Sequence, residues 1–521
     1  MSKQSVRSPA FSKALQAAVL ASLTAGVSGA AAAAAAPEAR SDTAITIYSS
    51  ARPGGIPPEY YRPLPGQGSP YAMNVPGYGM VRQEREVQLG RGRSQVRFTD
   101  VAALIDPTTV TFTSLTEPAA RVLEQNFQFD LVSTDKLLQK FIDQPLSVER
   151  NQAGGGTATA SGTLLSSVDG LVLRGADGSL TALRDYSALR FPDLPGGLIT
   201  RPTLMWDISS ERGGTQRARV TYQTGGMTWW ADYNLIFSEG RDAANGFVDF
   251  ASWVSIINQS GASYPDAKLK LVAGDVNRIQ PAMRPQMDEM VMSAARAPKE
   301  AGFVEQAFDE FHLYTLGRPT TLPQNSTKQI ELFDQARRVP AQRTLVYASN
   351  AMFFGAGRYE DANFPYTGSS KVDTYLEFRN DRASGLGIPL PAGRIRVSRL
   401  DAADGSPEFI GEDAIAHTPR DERVRVKLGS AFDVVGERKQ LDFRSDSRSR
   451  WMEEEIEVTL RNHKEEEVEV QVRETLFRWS NWQILSSSQG YEKEDARTIL
   501  FKARVPKDGS RVVRYRVRYS W

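Results

Sequence analysis

Residues 511–521 read RVVRYRVRYSW. Val513, Tyr515, Val517, Tyr519 and Trp521 share one parity and Arg514, Arg516 and Arg518 the other, so an extended chain here has an apolar-aromatic face and a cationic face. Three structures would use such a strand: a platform on which RNA bases stack, the closing strand of an outer-membrane barrel, or a strand of a soluble sandwich. The RNA platform fails because rings and arginines point opposite ways and cannot serve one nucleic-acid strand together. The barrel needs strands of ~10 residues with an unbroken lipid-facing apolar face. Here EEEIEVTL (453–460) and KEEEVEVQV (464–472) put glutamates on one face and only short aliphatic runs on the other. The sandwich remains, with the tyrosines and valines inward and the arginines expected to meet Glu465, Glu466, Glu467 and Glu469 or water.

Working back from the terminus, EEIEVTLRNHKEEEVEVQVRETL (454–476) reads as a hairpin: Ile456, Val458 and Leu460 face one way in its first arm, Val468, Val470 and Val472 likewise in its second, with a turn near Asn462–Lys464. At the other end, TAITIYSS (43–50) and MVRQEREVQL (80–89) are strands flanking a Pro-, Gly- and Tyr-rich stretch, 51–79, which reads as an exposed loop inserted into a hairpin. STDKLLQKFI (133–142) is a short helix capped by Ser133 or Thr134, with Leu137, Leu138 and Phe141 on one face. Its Ser133-x-x-Lys136 spacing matches a serine–lysine nucleophile pair without the companion motifs of that chemistry, so a cap is expected. Residues 145–190 suggest a small barrel or meander, and the Met- and Ala-rich run near 280–300 a mobile excursion between strands. The expected architecture is all-β: an amino-terminal β region over 42–200, a central β core over 201–420, and a β-sandwich-like domain over 421–521.

Composition narrows the chemistry. The 521 residues hold 63 Lys+Arg and 62 Asp+Glu, a net charge of +1, which argues against partners recruited by bulk charge such as nucleic acid. There is no cysteine, hence no disulfide or thiolate metal site, and the three histidines, His312, His417 and His463, are too far apart for an H-x-x-x-H pair. No metal site or cofactor is expected. Lys3, Arg7 and Lys13 precede an apolar, small-residue run, LQAAVLASLTAGVSGAAAAAAAP (15–37), the pattern of a signal peptide over residues 1–36. The mature chain is therefore expected in the periplasm or outside the cell, with no requirement for membrane contact.

In GGMTWWADYNLIF (225–237), Met227, Trp229, Ala231, Tyr233 and Leu235 form a core face, while Trp230, Asp232 and Asn234 share the other. A ring flanked by hydrogen-bonding groups suits a sugar or peptide. GEDAIAHTPRDER (411–423) gathers Asp413, His417 and Asp421, but no G-x-S-x-G elbow supplies a nucleophile, so no catalytic residue is assigned.

Six blocks, RVLEQNFQFDLVSTDKLLQKFI (121–142), YQTGGMTWWADYNLIF (222–237), WVSIINQSGASYPDAKLKLVAGDVNR (253–278), LYTLGRPTTLPQNSTKQIELF (313–333), LPAGRIRVSRLDAADGSPEFIGEDAIAHTP (390–419) and LGSAFDVVGERK (428–439), together make the chain resemble the domain-of-unknown-function 4139 family, the mucoidy-inhibitor-A-like bacterial envelope proteins. That resemblance implies an exported, β-rich protein and carries over no catalytic residue. The chain lacks the coiled coil that longer relatives place before the core. The expectation is a binding or assembly module of the cell envelope, its partner an envelope protein or glycan. The rival readings are a hydrolase of envelope polymers and an outer-membrane barrel component.

Overall fold

The computed structural model describes residues 42–48, 56, 58–61, 75–151, 156–240, 242, 244–274, 303–308, 311–348, 357–362, 369–401 and 403–521. The amino-terminal segment 1–36, most of the loop 51–79 and the excursion near 280–300 lie outside them. The described chain is all-β, in sheets of eight, five, three and thirteen strands, and none of these sheets closes on itself.

Strict alternation fixes the buried faces. In Asp42–Tyr48, Ile45 and Ile47 are fully buried. This strand pairs antiparallel with Tyr78–Leu89, the expected hairpin, and parallel with Tyr264–Ala273. The parallel pairing carries no local sequence signal. It joins segments on both sides of residue 200, so the strands before residue 130 share one core with residues 204–273 instead of forming a region of their own. Only residues 145–190 make a separate five-stranded antiparallel meander, open at both edges. It packs Leu146, Val148, Leu164 and Leu173 against the helix Thr134–Lys140 through Leu138 and Phe141. Ser133 caps that helix, its Oγ accepting from Lys136 N (3.3 Å).

Long strands string the cores together. Ser326–Ala348 has 23 residues, an extended length of about 75 Å at ~3.3 Å per residue. It gives Ile330 and Leu332 to the first core, Ala336, Val339 and Ala341 to a middle one, and Leu345 and Tyr347 to the last. The boundary expected at 421 is likewise crossed. Val424 and Val426 belong to the middle core, while Tyr347 and Val372 belong to the carboxy-terminal one.

The terminal strand, Gly509–Ser520, is as its alternation requires: Val513, Tyr515, Val517 and Tyr519 are buried, each contributing about 1.5–3 kcal/mol of apolar transfer. Its arginines have other partners than expected. The strand pairs with Trp451–Asn462, so Arg514 meets Glu457, Arg516 meets Glu455 (2.5 Å) and Asp442 (3.0 Å), and Arg518 meets Glu453 (2.6 Å). The hairpin expected over 454–476 is also corrected. Trp451–Asn462 pairs with Arg423–Asp446 and Gly509–Ser520, whereas Val468–Thr475 pairs with Ser326–Ala348 and Thr498–Val505. The chain arches from one layer to the other at Asn462, and the two aliphatic rows face each other across the core.

Asn462 makes that corner. Its fully buried amide donates to Glu466 O (2.8 Å), Pro506 O (3.0 Å) and Val505 O (3.3 Å) and accepts from Lys464 N (3.0 Å). Asn258 repeats the arrangement: it donates to Ala262 O (2.9 Å), Leu322 O (3.1 Å) and Pro323 O (3.1 Å) and accepts from Ser260 N (3.2 Å). Asn325 and Asp508, each two residues beyond its proline, both have positive φ (53° and 45°). Asn258 then lies opposite Met227 and Ser326, and Asn462 opposite Val434 and Gly509. Residues ending near Ser326 and those from Leu345 onward are thus built on one plan, used twice.

Candidate binding face on the outer sheet

The strand Met227–Glu239 sits between Asn245–Asn258 and Gly393–Leu400. Met227, Trp229, Ala231, Tyr233 and Leu235 are buried behind it. Burial holds the Tyr233 hydroxyl well above its usual range, and it donates to Pro391 O (2.7 Å), so it stays protonated behind the face. Trp230, Asp232 and Asn234 alternate onto the outer side, as their parity dictates.

Their environments differ. Trp230 is half-buried; Tyr61 lies against it with ring centroids 5.7 Å apart, and the same patch includes Ile56, Val75 and Ile257. Those described residues of the 51–79 stretch lie on the sheet instead of projecting from it, and Gln259 ties them down by donating to Tyr60 O (2.9 Å). Asp232 is 4% exposed. Its carboxylate accepts from Ser255 Oγ (2.8 Å) and Arg394 Nη2 (3.2 Å), with Arg396 at 3.6 Å. Asn234 is exposed.

Register adds residues that sequence reasoning missed. Directly across from Asp232 stands Trp253, 38% exposed, and beyond it Glu331; across from Trp230 stand Ser255 and Gln329, which donates to Ser255 Oγ (3.0 Å). Arg394 arrives through a parallel pairing with Asp232. Trp253 was hidden because it sits in the apolar run FASWVSII (250–257), yet its parity with Ser255 is the signal that would have placed it outward. The face therefore offers two tryptophans on diagonal positions, about 7–8 Å apart by strand geometry, among an amide, a hydroxyl, carboxylates and guanidinium groups.

The repeated plan supplies an internal control. Counting from Asn462 as from Asn258, the row Trp230, Ser255, Gln329 becomes Glu437, Thr459, Val512, and the row Asp232, Trp253, Glu331 becomes Lys439, Glu457, Arg514. There Glu437 pairs with Lys439 (2.8 Å) and Arg461 (3.0 Å), and Glu457 with Arg514. Both copies carry ion pairs on the outer face, Asp232 with Arg394 (3.2 Å) in the first, but at the positions of Glu437 and Glu457 the first has Trp230, packed under Tyr61, and the exposed Trp253.

The remaining candidates hold backbone. Asp413 accepts from Lys427 N (2.7 Å), joining the strands Pro407–Ile415 and Arg423–Asp446 where no ladder does. His417 Nδ1 accepts from Ala392 N (3.0 Å), and Asp421, at φ 66°, donates through its backbone N to Asn380 O (2.7 Å). His312 bonds Glu305 (2.8 Å), and His463 lies exposed at the Asn462 corner. Among the described residues no three His, Asp or Glu side chains stand together as metal ligands, and no described helix is long and apolar enough to cross a membrane. Comparison of the chain with family models, with curated proteins and with solved structures finds no match.

Proposed function

We propose that this chain is a non-catalytic binding module of the cell envelope, and that it lays a saccharide chain on the outer face carrying Trp230 and Trp253. The observation that carries the reading is the contrast between the two copies of the plan: tryptophans stand where the other copy has ion-paired glutamates. A sugar ring stacks its C–H face on an indole while its hydroxyls bond neighbouring polar groups, which Asn234, Gln329 and Glu331 provide. Asp232, buried beneath this face and bonded by Ser255 and Arg394, holds those two side chains in place beside the tryptophans. The envelope location rests on the basic, then apolar, then small-residue order of residues 1–36. The test is co-sedimentation of the mature chain with insoluble envelope glycan. Wild type is expected in the pellet and Trp253→Ala in the supernatant; equal partitioning of the two refutes the reading.

A further inference from the structure

Where the long strand Ser326–Ala348 exchanges neighbours, the sheet leaves a gap. Its last partner on one side is Asn245, opposite Gln342, and its next is Val470, opposite Leu345. A cleft of about 840 Å³ opens there, and it continues past Asp242 and Gln342, which line both spaces, into a recess of about 160 Å³. Phe247, Pro340 and Phe378 give the cleft apolar walls, and the recess is bounded by the Asn462 corner through Lys464, Glu466, Glu467 and Glu469.

The charge of this groove follows from the strand pairing. The arginines at 514, 516 and 518 take Glu453, Glu455 and Glu457, so the glutamates of the corner are left to the groove. Of these, Glu469 has Arg504 at 3.8 Å. The cations on the cleft wall are engaged: Arg423 holds Glu377 (3.2 Å) and Arg379 stands 3.7 Å from Asp381. Across both spaces six carboxylates line the walls against four cations.

We propose that this groove docks an extended, basic peptide segment of a partner protein, with apolar side chains of one part in the cleft and lysines or arginines of the next part against Glu466, Glu467 and Glu469 in the recess. An extended segment advances ~3.3 Å per residue, so one strand can run from the apolar cleft past Asp242 and Gln342 into the acidic recess. The site is independent of the tryptophan face and of its saccharide.

The experiment titrates the mature chain into two fluorescent ten-residue probes, one alternating valine with lysine and one alternating valine with glutamate. The lysine probe is expected to bind, more weakly as salt rises, and the glutamate probe not to bind. Reversal of Glu466, Glu467 and Glu469 to lysine is expected to weaken the lysine probe at least tenfold, and Trp253→Ala to leave it unchanged. Should the triple variant fail to fold, Glu467→Gln alone is expected to weaken binding at least twofold with an unaltered melting curve. Equal binding of the two probes, or loss of binding in Trp253→Ala with none in the glutamate variants, overturns the proposal.

Discussion

Replacing Asn462 by alanine tests whether the layer-to-layer corner is held by that amide. The side chain is fully buried and makes four hydrogen bonds, all to backbone, on two separate stretches of chain, 464–466 and 505–506. Alanine leaves Lys464 N and the carbonyls of Glu466, Val505 and Pro506 without this partner. An orphaned buried polar group costs about 1–3 kcal/mol. Carbonyls with a second lone pair already bonded lose less, so about 2–4 kcal/mol is expected for the site. Native-state hydrogen exchange reads this directly, because amides that open with the carboxy-terminal core should exchange roughly 30- to 700-fold faster at one decade per ~1.4 kcal/mol. Asn258→Ala, which removes the equivalent amide, should show a loss of the same size confined to the core of Ile45, Trp206 and Leu269. A change below about fivefold in either variant, or a large effect in one and none in the other, refutes the claim that the two corners are the same device.

Arg478→Met should destabilise the carboxy-terminal core by about 3–5 kcal/mol in urea titration, since it removes the ion-pair partner, at 2.8 Å, of the 1% exposed Glu454, whereas Lys502→Met, which breaks an exposed pair with Glu492, should leave the urea midpoint nearly unchanged. The Ser210 hydroxyl, with the backbone N–H groups of Glu211 and Arg212 and the Gln216 amide, lowers the Glu117 carboxyl below its usual value, and burial only partly opposes them. A lowered folded pKa gives stability that is present above the unfolded value, about 4.3, and lost as pH falls through the folded one. Wild-type stability should therefore fall below about pH 4, and Glu117→Gln should flatten that fall in denaturation curves taken at pH 7 and pH 3.

Faces were legible in this sequence; partners were not. Alternation alone placed Val513, Tyr515, Val517 and Tyr519 inside, and the same rule put Trp230, Asp232 and Asn234 on the outer side. It cannot say which strand lies alongside. Val468–Val472 read as the return of a hairpin because its valines also alternate, yet the arch buries the same valines against the same core. The entropy of closing longer loops grows slowly with length, so proximity in sequence is a weak guide to pairing. The same limit redirected the arginines from Glu465–Glu469 to Glu453–Glu457 and hid Arg394, which reaches Asp232 only through a parallel neighbour. The twofold plan escaped notice because few residues carry it: a corner asparagine and a Pro-x-Asn/Asp turn, LPQNS at 322–326 and VPKDG at 505–509.

The most direct test of the binding face is isothermal titration of soluble oligosaccharides, released from envelope glycan, into the mature wild type and Trp253→Ala. Loss of one stacking ring worth about 1–1.5 kcal/mol weakens affinity roughly tenfold. The account predicts that loss, with Glu457→Ala, at the corresponding position of the other copy, binding as wild type does. Equal affinity of wild type and Trp253→Ala for oligosaccharides that bind, or no binding by wild type at millimolar ligand, contradicts it.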